Sequence, residues 1–255
     1  MKYFASRQIE GRLKQATITR DGRSWYISVV CEVNAPQFRP ATESQRVGLD
    51  WGVTHFYTLS NGQHEPNIRL FQKYEGRLRV LQRSPARKKK GSHNWAAIKR
   101  QLGRLHAKLV RIRKDWHHKL STGLVGQYEA IFVEDLSLNN MTRSSRGTAE
   151  APGQQVRQKS GLNRSILDTA PGHFFQLLGY KCDWYQRRFV KVGAKNSSLA
   201  CSVCDHISKE NRRTQSTFAC EACGHTENAD VNAARNILSR GNAALAANVG
   251  HLARA

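Results

Sequence analysis

The stretch Arg46-Val47-Gly48-Leu49-Asp50-Trp51-Gly52-Val53 reads as an apolar strand that delivers one carboxylate, Asp50, to its end. The glycines on either side of Asp50 permit another segment to come close. After it, 54–60 (Thr-His-Phe-Tyr-Thr-Leu-Ser) followed by Asn61-Gly62 reads as a second strand entering a turn. Two later acids repeat the placement. Glu134 closes the run Ala130-Ile131-Phe132-Val133, and Asp230 opens Val231-Asn-Ala-Ala-Arg-Asn-Ile-Leu238. Three acids, each at the edge of a regular element, are the groups that divalent-metal phosphodiester cleavage requires.

Taken singly, each acid has a plainer reading. Asp50 would cap a turn, Glu134 would pair with an arginine, and Asp230 would be a helix N-cap. Asp135 competes with Glu134, but neighbouring strand residues face opposite sides, so the two would not share an ion. Asp168 and Asp183 fall within or near a helical pattern and are weaker candidates.

Outside these acids, charge is the dominant signal. The 255 residues hold 41 Lys and Arg against 19 Asp and Glu, a net of +22, with mean hydropathy of -0.60. Such an excess calls for a polyanion, and its clustering favours nucleic acid over an anionic membrane. There is no apolar run of 18 residues and no signal-peptide core. The bias concentrates between Arg69 and Lys119, where 17 Lys and Arg face only Glu75 and Asp115. There Phe71, Tyr74, Leu78 and Leu81, then Trp95, Ile98, Leu102, Leu105, Leu109, Ile112 and Trp116, step by three and four. The spacing predicts an antiparallel helical hairpin joined through 84–94. With almost no acids to lace it, its outer face reads as a phosphate-tracking surface. Six to ten phosphate contacts would cost about 10³- to 10⁵-fold in affinity between about 50 and 200 mM salt.

The remaining elements are simpler. Residues 12–33 read as a β-hairpin turning at Asp21-Gly22, and Pro36 to Gln45 as a linker. Residues 126–138 return to strand, 139–165 read as a mobile basic loop, and a helical pattern from Ser165 is divided by Pro171. Phe189 to Val192 suggests a further strand.

Six cysteines include two C-x2-C pairs, Cys201/Cys204 and Cys220/Cys223, separated by fifteen residues. Two such knuckles complete a tetrahedral, structural zinc site with no open position. Two disulfides are the alternative, and His206 or His225 would be substitute ligands. Cys31 and Cys182 read as reduced apolar filler, which suits a reducing cytoplasm.

In order, the residues resemble the TnpB (OrfB) transposon-encoded proteins. Val47-Gly-Leu-Asp50-Trp-Gly-Val-Thr-His-Phe-Tyr-Thr-Leu-Ser-Asn-Gly62 is similar to the first RuvC motif and Ile131-Phe-Val-Glu134-Asp-Leu-Ser-Leu138 to the second. The stretch Gln158-Lys-Ser-Gly-Leu-Asn-Arg-Ser-Ile-Leu-Asp168, the cysteine pairs and Asn228-Ala-Asp230-Val-Asn-Ala-Ala-Arg-Asn-Ile-Leu238 complete the series.

The resemblance implies an α/β fold: an RNase H-like (RuvC) core with an inserted basic helical hairpin and a four-cysteine zinc ribbon. It divides the chain into a hairpin remnant of a wedge-type β-barrel (1–45), core (46–68), helical insertion (69–120), core (121–196), ribbon (197–226) and a last core segment with tail (227–255). It implies RNA-guided, Mg2+-dependent DNA cleavage, with DNA and a guide RNA as partners and no membrane. Asp50, Glu134 and Asp230 match the family's catalytic, Mg2+-binding acids. Cys201, Cys204, Cys220 and Cys223 match its zinc ligands. Only about 49 residues precede Asp50, where the family has a longer N-terminal part. The rival expectations are a nucleic-acid-binding regulator that no longer cuts, and a guide-free, structure-selective resolvase.

Overall fold

The computed structural model describes residues 4, 8–21, 24–34, 45–148 and 150–252. The chain divides into two compact units, Met1–Pro40 and Ala41–Ala255. In the first, β1 (Arg12–Asp21) and β2 (Ser24–Glu32) pair antiparallel with Ile18 opposite Ile27, as the alternation predicts. Gly22 of the expected turn, and the expected linker at 36–44, lie outside the described residues.

The second unit is built on a five-stranded sheet. Its strands are β3 (Arg46–Trp51), β4 (His55–Leu59), β5 (His64–Pro66), β6 (Ala130–Glu134) and β7 (Arg188–Val192), in the order β5-β4-β3-β6-β7. Strands β3, β6 and β7 run parallel, whereas β4 and β5 continue β3 as an antiparallel meander. Alternation along β3 and β6 sorts the two faces. Val47, Leu49, Trp51, Ile131 and Val133 enter one core with Leu124 and Val125 of α2 (His93–Gln127), and with Phe174 and Leu178 of α5 (Pro171–Trp184). Ala130 and Phe132 face the opposite way, onto Ile237 of α6 (Ala229–Leu252).

Helix α6 lies against this second face because two glycines let it. A Cβ on Gly48 would stand 2.0 Å from the Ala234 carbonyl oxygen. One on Gly241 would stand 2.1 Å from Cγ of Phe132.

The basic segment forms the expected hairpin, α1 (Leu70–Arg83) and α2, joined through a 3-10 turn at Ser84–Arg87. Leu70, Leu78, Leu81, Leu105 and Leu109 give it a small core of its own. Helix α2 runs seven residues beyond the expected insertion boundary at 120, because Leu124 and Val125 are required by the main core. The expected loop at 139–165 is a correction. It contains a short helix α3 (Leu138–Met141) and the first ten residues of α4 (Val156–Thr169). Tertiary ties fix this polar segment: Lys159 Nζ donates to the Met141 carbonyl at 2.6 Å, and Asn163 Nδ2 to that of Thr142 at 2.8 Å. Pro171 occupies the first turn of α5 and separates it from α4.

His117 of α2 is fully buried, stacked on Phe56 with its Nδ1 3.0 Å from His173 Nδ1. Burial, then the His173 and Arg113 neighbours, lower its pKa to about 4. Because the folded value lies below the unfolded one, the unfolded chain binds more protons between them. Stability is therefore whole above about pH 6.5 and is lost as pH falls towards 4, by roughly 3 kcal/mol in total. Denaturant titrations at pH 7 and pH 4.5 check this. His117→Phe should flatten the difference.

Candidate active site

The alternation that buries Val47 and Leu49 turns Asp50 to the α6 face of β3, and Glu134 ends β6 on the same face. Both strands run parallel in register, with Leu49 beside Val133, so the next residues are neighbours. Asp230 comes from the first turn of α6. It is not the N-cap, since Asn228 Oδ1 accepts from the amides of Asp230 (3.0 Å) and Val231 (3.2 Å). The capping reading of Asp230 therefore fails, and its carboxylate is left for other use.

Asp50, Glu134 and Asp230 line one cavity of about 320 Å³, together with Trp51, Ser197 and Arg212. Burial, then the nearby charges of Glu134 and Asp230, hold the Asp50 carboxyl well above the usual carboxylate range; Arg212 opposes them. Burial also raises Glu134, against a hydrogen bond donated by the Ser197 hydroxyl and the charge of Arg240. Asp230 meets the Arg212 guanidinium at 3.6 Å. Asp135 faces outward, exposed, 3.8 Å from Lys191 Nζ. Asp168 is engaged elsewhere, 2.6 Å from Arg113 and accepting from the Phe71 amide at 2.8 Å.

Oxygen donors of this kind suit a hard cation such as Mg2+. Among the described residues, the only group of three or more Cys, His, Asp or Glu side chains placed to hold one ion is the cysteine quartet, and the three acids do not form a second such group. Two ions about 3.5–4 Å apart, each about 2.1 Å from its oxygens, accept wider spacing. The three acids, lining one cavity, supply oxygen donors of the kind that arrangement uses.

Ser197 and Arg212 had no local signal in the sequence. Ser197 sits where β7 leads into the ribbon, and two asparagines of α6 hold that segment. Asn236 Nδ2 donates to the carbonyls of Ser197 (2.9 Å) and Ala200 (2.8 Å). Asn232 Nδ2 donates to Ala200 at 2.8 Å, and its Oδ1 accepts from the Ser202 amide at 2.9 Å.

In the ribbon, the four Sγ atoms lie within 4.8 Å of one another. Cys201 and Cys223 are 3.7 Å apart, Cys204 and Cys220 3.6 Å. Four 2.3 Å bonds at tetrahedral angles place sulfurs about 3.8 Å apart, so the spacing fits a metal such as zinc. All four cysteines are free, which removes the disulfide alternative. The knuckles are alike: the Cys201 amide donates to His206 O and the Cys220 amide to His225 O. Both histidines thus serve through their backbones, and neither joins the quartet. Strands β8 (Thr217–Ala219) and β9 (Thr226–Asn228) close the ribbon, and β9 runs directly into α6.

A family model described as "Probable transposase" (OrfB) matches residues 28–145, and one described as "Cas12f1-like, TNB domain" matches 172–237. The chain is similar to the TnpB/OrfB family over these residues. Its relatives include "Putative RNA-guided DNA endonuclease InsQ" of Escherichia coli (strain K12), 43% identical over 96% of this chain and 61% of that protein. A "Putative RNA-guided DNA endonuclease" of Streptomyces pristinaespiralis is 35% identical over 90% of this chain and 53% of that protein. The chain thus spans between half and two thirds of the length of the two relatives. Its fold is similar to that in a "Cryo-EM structure of the Cas12f1-sgRNA-target DNA complex", with a TM-score of 0.52 at 20% identity, covering 87% of this chain and 55% of that one. No helix among the described residues is long and apolar enough to cross a membrane.

Proposed function

We propose that this chain hydrolyses DNA phosphodiesters at the cavity formed by Asp50, Glu134 and Asp230, as an RNA-guided endonuclease of the kind for which its relatives are named. The observation that carries the reading is the placement of three acids, from β3, β6 and α6, around one cavity, where burial, then the charges of Glu134 and Asp230, raises the Asp50 pKa. The sheet order β5-β4-β3-β6-β7, three parallel strands extended by an antiparallel meander, supports an RNase H-like (RuvC) core. The segments assigned above to core, insertion and ribbon follow from the same reading, and the β1–β2 hairpin is read as part of a wedge-type barrel.

Paired divalent cations, Mg2+ in this reading, would supply charge neutralisation and activation of the attacking water. The chain's own residues do the rest. Asp50 and Glu134 are fixed by strand register, and Ser197 orients the Glu134 carboxylate by donating to it. Asp230 is held at 3.6 Å by Arg212, the only Arg or Lys among the residues lining the cavity. A phosphate entering there meets Arg212 as its natural counter-charge. The basic outer face of α1 and α2 would track the strands outside the cavity.

The test is cleavage of DNA, complementary to any copurified RNA, in Mg2+ and in EDTA. Cutting that requires both the metal and the RNA is the expected result. Binding with no metal-dependent nicking would overturn it in favour of a regulator, and RNA-free cutting of branched DNA in favour of a resolvase.

Zinc is the metal we assign to Cys201, Cys204, Cys220 and Cys223. Native mass spectrometry should show one zinc per chain. Cys201→Ser should remove it and lower the melting midpoint by roughly 5 °C or more.

A further inference from the structure

We propose that the cleft between the start of α1 and helix α4 is a nucleotide-binding subsite, which holds the strand beside the nucleotide presented to the acids. The identity of the strand rests on the nuclease reading; the subsite itself rests on geometry.

The cleft has a volume of about 400 Å³. Gly161, Arg164, Ser165 and Asp168 line it, all from the Gln158–Asp168 stretch that the sequence singles out and the acid cavity leaves unused. Val53 and Thr54 line both the cleft and the acid cavity, so a strand leaving one passes into the other.

The chemistry of the walls suits a nucleotide. The Arg164 guanidinium lies 5.1 Å over the Phe71 ring, and the pair forms a flat cationic surface of the kind on which bases stack. Arg69 is exposed on the rim, and among the described residues no acid pairs with its guanidinium. The two carboxylates in the wall are already engaged. Asp168 joins Arg113 and the Phe71 amide, and Glu75 joins Arg79 at 2.9 Å and Arg164 at 3.9 Å. Asp168 thereby pins α1 to α2 and α4, so the cleft is preformed. A phosphate meets Arg69 and Arg164, while the base lies against the Arg164–Phe71 pair.

Gly161 offers a direct test. A Cβ there meets no atom within 4 Å, and Gly161 lines the cleft, so a leucine at this position is the variant chosen to fill it. The probes are fluorescein-labelled dT8 and rU8, bound to the full chain without divalent metal and followed by anisotropy. Gly161→Leu should weaken binding of at least one probe by roughly tenfold with a melting midpoint no lower than the parent's. Arg164→Gln should weaken the same probe and reduce the salt slope by about 1. Loss confined to dT8 assigns the cleft to DNA, and loss confined to rU8 to RNA. Equal loss assigns it to the chemistry they share. Parent-like binding of both probes by both variants overturns the subsite and leaves the nuclease reading intact. Undiminished cutting by Asp50→Asn would overturn the nuclease reading and leave the subsite standing.

Discussion

Asp50→Asn lowers metal-dependent DNA cleavage by about 10³-fold or more, while DNA affinity stays within about twofold. The substitution keeps the size of the side chain and removes the charge that faces Glu134 and Asp230. It therefore spares the fold and the basic surface and removes only the ability to hold the cations. The electrostatics supply a second readout. The Asp50 pKa is raised in the folded chain, so the folded state binds more protons than the unfolded one, and metal-free stability falls as pH rises through that value. In EDTA at pH 8, Asp50→Asn should melt at a higher temperature than the parent. If the variant cuts at the parent's rate, the acid cavity is not the site of hydrolysis.

Gly48→Ala has the largest expected effect on the fold. The added methyl would stand 2.0 Å from the Ala234 carbonyl oxygen and 2.6 Å from the Leu238 amide nitrogen. Both are backbone atoms, so no side chain can turn aside and α6 must lift from β3. Overpacking of this kind costs about 1–3 kcal/mol, and the lift falls between Asp50 on the strand and Asp230 at the helix start. A displacement of about 1 Å at reacting groups costs on the order of 10²-fold in rate. Thermal melts and cleavage rates together check both effects. Gly76→Ala is the control: its site in α1 is open within 4 Å, and it should stabilise by about 0.5–1 kcal/mol. If Gly48→Ala is as stable and active as Gly76→Ala, the close docking of α6 is not what sets the cavity.

Much of this was legible because it is written locally. Strand runs ending in Asp50 and Glu134, the two cysteine pairs, and the three-four stepping of 95–116 each depend on neighbours in sequence. So does the orientation of Asp135 away from Glu134, which follows from alternation alone. What escaped depends on distant partners. Helix α4 carries few apolar residues, and its place is fixed by Lys159, Asn163 and Asp168 reaching other elements. The short strand β5 is defined by pairing to β4. Arg212 is one of several basic residues in the ribbon, and only the return of the chain to α6 selects it for Asp230. Asn228 looks like an ordinary polar residue until the helix it caps is known.

Helix α6 bears Asp230 at its first turn, and through Asn232 and Asn236 it also clasps the segment leading into the first knuckle. Damage to the thiols, by an oxidant during purification or by a strong chelator, would therefore travel to Ser197 and Arg212 and imitate a lesion among the carboxylates. A preparation that fails to cut should have its sulfur chemistry inspected before its acids are blamed.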